Sequence, residues 1–75
     1  MDVKFNVGDI VKFNDGEMVE GEPVGDVEYV ISEDLGDHFN AEVLDKDRNP
    51  IRLYIEIWKD HDDDYPCVDR MHKVV

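Results

Sequence analysis

The chain has little of what would staple, anchor or arm it. Its one cysteine cannot form an internal disulfide, which excludes a disulfide framework and points to a reducing, cytoplasmic setting. No apolar run approaches the roughly 20 residues of a membrane span. Met1-Asp2-Val3-Lys4 has neither the basic start nor the apolar stretch of a signal peptide. There is no Gly-rich phosphate loop, no Cys-x-x-Cys and no His-x-x-x-His, and no nucleophile stands beside a base, so neither catalysis nor a cofactor is expected. Basic residues are scarce and unevenly placed. Eight Lys and Arg face twenty Asp and Glu, for a formal charge of −12. From Phe13 to Asp45 there are eleven acids and no Lys or Arg; from Lys46 to Lys59 there are four bases and two acids. So many carboxylates repel phosphate backbones and anionic lipid, which weighs against nucleic acid and membrane as partners.

What the chain does have is alternation. In Ile51-Arg-Leu-Tyr-Ile-Glu-Ile-Trp58 the aliphatics Ile51, Leu53, Ile55 and Ile57 recur at every second residue. Strand geometry sends them to one face, and the β-branched and aromatic content agrees. This stretch reads as the central strand of one small all-β domain spanning residues 1–75. A chain this short buries only about 60% of its unfolded surface, a size that suits a binding module.

The other segments follow the same period. Val3–Val7 reads as a short strand or lead-in, Asp9–Phe13 as a strand with Val11 and Phe13 inward, and Asn14-Asp-Gly16 as a turn. Glu17–Asp26, with Gly21, Pro23 and Gly25, reads as a long irregular excursion that Met18, Val19 and Val24 pin to the core. Val27–Glu33 and His38–Leu44 are strands, separated by a turn with Gly36 in the left-handed position. Asp45–Pro50 is a polar hairpin loop, and Lys59–Asp64 a charged one. The ambiguous tail resolves best as a short 3-10 turn over Val68–Arg70 and a terminal strand. The expected core is Val11, Phe13, Val27, Tyr29, Ile31, Phe39, Ala41, Val43, Ile51, Leu53, Ile55 and Ile57. Short strands with turns about every ten residues predict a small closed barrel of five strands, closure being the way to leave no long edge unpaired.

Gly8-Asp-Ile-Val-Lys-Phe-Asn-Asp-Gly16, then Gly21, then Gly25-Asp-Val27, resembles the opening of a KOW-type or related SH3-like barrel. There a G-D-x-V-x-V strand enters a Gly-bearing loop and returns on a G-x-V strand. The resemblance covers roughly residues 8 to 31 and implies an SH3-like barrel; many relatives bind RNA, ribosomes or transcription complexes through basic and aromatic loops. Here the matching loop carries Glu17, Glu20 and Glu22 where such loops carry bases. The chain is also similar in style to small acidic SH3-like proteins of bacteria and their phages.

These features favour a non-enzymatic protein-interaction or accessory module whose partner has a basic surface. Glu17, Glu20, Glu22, Asp26 and Glu28 are the candidate contact acids, with Tyr54 and Trp58 as aromatic anchors. The alternative for Trp58 is burial beneath the acidic excursion. Two other functions are consistent with the chain: a nucleic-acid mimic that occupies a basic partner's phosphate sites, and nucleic-acid binding through Lys46, Arg48, Arg52 and Lys59 with Trp58. Asp60, Asp62 and Asp64 imitate the first three ligand positions of a calcium loop, but Tyr65 stands where that loop needs Gly and Met71 where it needs Glu. The plainer expectation is a solvated loop, with no metal. His38, His61, His72 and Cys67 show no ligand spacing, and Cys67 reads as a small buried apolar residue.

Overall fold

The computed structural model describes residues 5–19 and 21–74. Among the described residues seven strands are present: β1 Ile10–Phe13, β2 Met18–Val19, β3 Glu22–Pro23, β4 Glu28–Asp34, β5 His38–Leu44, β6 Pro50–Trp58 and β7 Met71–Lys73, with one 3-10 turn at Val68–Arg70. Five of them form an antiparallel sheet in the order β6-β5-β4-β1-β7, and β2 and β3 make a separate two-stranded pair. The chain is therefore all-β, with the 3-10 turn and terminal strand where the sequence puts them. Of the expected lead-in strand, Val3 and Lys4 lie outside the described residues, and Phe5 to Val7 carry no strand.

Alternation builds the core in the middle of the sheet. The register aligns Val11 with Tyr29 and Tyr29 with Val43, and it aligns Ile31 with Ala41 and Ala41 with Ile55. Phe13 lies opposite Met71, and Phe39 opposite Ile57. Each row is one side-chain layer across the sheet, and together they form a single cluster with Val11, Ala41 and Ile57 at 0% exposure. Phe13 meets the Tyr29 ring edge-on at 5.7 Å, and burial pushes the Tyr29 hydroxyl above its ordinary pKa. Phe5, Val19, Val24 and Val68 pack on this cluster from outside the five strands.

Four expectations need correction. First, β6 is not central: it is an edge strand, with β5 on one side only. Second, Ile51 and Leu53 are not core residues, being 44% and 60% exposed; only Ile57 is buried, with Ile55 half-buried. The cause is a bulge. Glu42 lies opposite Tyr54 and Leu44 opposite Pro50, so three residues of β6 stand against Val43 alone. Arg52, within the bulge, takes a left-handed φ of 62°. The extra residues lift Ile51 and Leu53 off the core, while Leu44, on the other face of β5, is buried outside the main cluster.

Third, the sheet does not close. Trp58 bridges Cys67 in parallel and donates its N–H to the Pro66 carbonyl, so the chain returns to touch one end of β6, and among the described residues no strand pairs with the rest of that edge. Fourth, the excursion between β1 and β4 contains regular structure, with Met18 paired to Pro23 and Val19 to Glu22. Val19 and Val24 do pin it down, but Met18 is 50% exposed.

Candidate functional site

The excursion is held by a residue that no local sequence pattern singles out. Arg70, in the 3-10 turn, is buried. Its Nε donates to Glu17 Oε1 at 2.8 Å, one terminal nitrogen to the Tyr65 carbonyl at 2.9 Å and the other to the Met18 carbonyl at 2.7 Å. The guanidinium also lies 5.9 Å from the centre of the Phe13 ring. A rigid fork of donors can meet three acceptors at once, which an ammonium could not do in this geometry. Arg70 thus anchors the start of β2 to the C-terminal segment and takes Glu17 out of the pool of available acids.

Beyond this anchor the β1–β4 connection forms an open recess of about 370 Å³, lined by Asp15, Gly16, Glu17, Met18, Pro23, Gly25 and Asp26. Gly16, at a φ of +85°, makes the turn that brings Asp15 round to it. Exposed Met18 and Pro23 supply apolar surface, and Asp15 and Asp26 are exposed acids. No cation lies within ion-pair distance of Asp15, Glu22 or Asp26 among the described residues. The recess therefore sets exposed apolar surface beside two acids, Asp15 and Asp26, that have no counter-ion among the described residues.

The expected contact residues divide into two groups. Glu17 and Asp26 line the recess and Glu22 stands exposed on β3; Glu20 lies outside the described residues. Glu28, Tyr54 and Trp58 lie instead on the sheet face opposite the core. Glu28 is taken up by Arg48, whose Nε and one terminal nitrogen reach its two oxygens at 3.1 and 3.3 Å. Arg48 itself sits at a φ of 63° in the β5–β6 loop, where Asp45 Oδ1 accepts the N–H groups of Asp47 and Asn49. Asp26 belongs to both surfaces, because it also borders a groove with Lys12, Glu28, Leu44 and Lys46.

Trp58 is half-buried, and the acidic excursion is not what covers it. The His38 ring lies on it, with centroids 4.6 Å apart and planes tilted by 40°. His38 Nδ1 stands 2.6 Å from Asp37 Oδ1 and Nε2 stands 3.3 Å from Glu56 Oε2, so both ring nitrogens face carboxylates. That hydrogen bond from His38 holds the Asp37 carboxyl below the ordinary range. The Asp34 carboxyl is lowered too, chiefly by the Lys59 ammonium at 2.7 Å and then by the Gly36 N–H. Of the four bases offered as a nucleic-acid contact, Arg48 and Lys59 are thus already committed to carboxylates of this chain.

The acidic loop after β6 is organised by its own turns. Asp62 Oδ1 accepts the N–H groups of Asp64 and Tyr65, and His61 lies between Asp63 at 2.7 Å and Asp69 at 3.3 Å. The Asp63 hydrogen bond, ahead of its charge, raises the His61 pKa. Among the described residues, no three His, Cys, Asp or Glu side chains converge as a metal site would require, and this includes Asp60, Asp62 and Asp64. Cys67 is buried, with Sγ 3.5 Å from the Asp62 carbonyl oxygen, and His72 pairs with Asn14 instead of approaching Cys67.

No protein family, curated protein or solved structure matches the chain.

Proposed function

We propose that this chain is a small SH3-like module, cytoplasmic and non-catalytic, that docks a basic, partly apolar segment of another protein. The observation that carries the reading is the recess: Asp15 and Asp26, without counter-ions among the described residues, flank exposed Met18 and Pro23. A lysine or arginine beside an aliphatic side chain would meet both parts of that surface, and the surplus of acids elsewhere would speed the encounter. The SH3-like assignment is supported by the strand order β6-β5-β4-β1-β7, by the long connection between β1 and β4, and by the 3-10 turn before the last strand. It extends the resemblance carried by Gly8–Gly16 and Gly25–Val27.

The test is affinity capture from host extract with the wild-type chain and with an Asp15→Asn/Asp26→Asn double variant, read by mass spectrometry. The reading expects a basic protein held by the wild type, lost with the double variant, and released as salt rises. Equal recovery by both chains would remove the recess from consideration. Displacement of the captured protein by duplex DNA would favour the nucleic-acid mimic, in which the carboxylates compete for phosphate sites.

A further inference from the structure

The open edge of β6 carries a second surface, and its chemistry names its own partner. The Trp58 N–H points away from β5, to the Pro66 carbonyl. Backbone groups alternate sides along a strand, so the N–H and C=O of Glu56 and Tyr54 also face that edge. Among the described residues the edge is covered only by Pro66 at Trp58; residues 50–54 and 56 are exposed, with Leu53 at 60% and Tyr54 at 54%. A long exposed edge with apolar side chains is a template for another strand.

Arg52-Leu-Tyr-Ile-Glu56 reads base, aliphatic, aromatic, aliphatic, acid. Reversed, the order of apolar classes is unchanged and the charges exchange. We propose that β6 pairs antiparallel with β6 of a second copy, about a two-fold axis at Tyr54. This register sets Arg52 opposite Glu56 twice, Leu53 opposite Ile55 twice, and Tyr54 opposite Tyr54. Opposite charges and aliphatic pairs facing each other are the stabilising cross-strand combinations. Sliding the register by two residues, the smallest slip that keeps the same faces together, places Arg52 opposite Tyr54 or Trp58 and loses both charge pairs, so the axis is specified. The contact is isologous, as two-fold dimers require.

The charge distribution favours this edge over any other meeting surface. Two copies at −12 repel, but the stretch from Lys46 to Lys59 carries four bases and two acids. The other edge strand, β7, has three residues. The pairing is short: the Trp58 N–H is taken by Pro66, and in the bulge the Arg52 N–H is taken by Glu42 Oε2, so backbone bonds form about Tyr54 and the flanking residues meet through their side chains. That is much less than the roughly 1,600 Å² of a standard interface, so the dimer is weak and concentration-dependent.

Sedimentation velocity at physiological ionic strength, across a concentration series, tests the pairing with charge reversals. The wild type should shift from monomer to dimer as concentration rises. Arg52→Glu places acid opposite acid twice, and Glu56→Arg places base opposite base twice, so each variant alone should stay monomeric. An equimolar mixture of the two restores both opposite-charge pairs and should dimerise again, which also reports that both variants fold. Leu53→Asp acts at a position already 60% exposed and should abolish the dimer without changing the melting curve. A wild type that stays monomeric to the millimolar range overturns the proposal. So does a mixture that remains monomeric, or a dimer that survives Leu53→Asp.

Discussion

β5 and β6 are neighbours with the same two-residue period and different fates. β5 has a strand on each side, and its Phe39 and Ala41 are 1% and 0% exposed. β6 has a strand on one side, and its aliphatics grade from buried Ile57, through half-buried Ile55, to Leu53 and Ile51 in water. Periodicity assigns residues to faces. It does not say how many neighbours a strand has, nor where a bulge interrupts the count. The stronger pattern, four aliphatics in a row of eight, belongs to the less covered strand.

Substitutions along the two strands should reproduce that gradient. Phe39→Ala should cost most, about 3–5 kcal/mol, since it removes a fully enclosed ring, and chemical denaturation would measure it. Ile57→Ala should follow at about 2–5 kcal/mol. Leu53→Ala, two turns of the pleat away on the same nominal face, should cost below about 1 kcal/mol in dilute monomer. If Leu53→Ala destabilises as much as Ile57→Ala, the bulge is misplaced and the alternation holds through the whole strand. Outside these strands, Arg70→Met should cost on the order of 3 kcal/mol, because it strands Glu17 and two carbonyls without their donor.

The smallest expected effect is on pH dependence. The His61 pKa is raised above 6.5 in the folded chain, so the contribution of its pairing is fully present below 6.5 and is lost as pH rises through the folded value. Asp34 and Asp37 have the opposite sign: their lowered values contribute above 3.8, and that contribution is lost as pH falls below it. These groups are exposed, so the His61→Gln variant should differ from wild type by only a small change in the slope of melting temperature against pH above 6.5.

The legible parts of the fold were those decided within a few residues. Val11 and Phe13, the turns at Gly16 and Gly36, the limits of β5, and the 3-10 turn at Val68–Arg70 all follow from local spacing and turn chemistry. The β2–β3 pair escaped notice because strands of two residues carry no period. Arg70 escaped because Glu17 and Met18, its acceptors in the excursion, lie 53 and 52 residues away in sequence. For the candidate site, composition identified the acids but not their pairings. Glu17 and Glu28 look as available as Asp15 and Asp26 in sequence, yet arginines from distant segments neutralise them. Tyr54 and Trp58 fall on a strand by their spacing, but only the register shows that this strand lies at the sheet edge and not beside the recess.

The Arg70 fork has a consequence for how the molecule breathes. Met18 and Tyr65 share one donor group, so the excursion cannot swing away without breaking bonds of the guanidinium that also holds the C-terminal segment. Transient opening of either segment should release both, making one unit of protection from two stretches that are remote in the chain. A partner that clasps the recess would thereby slow solvent exchange at amides near Tyr65 that it never touches.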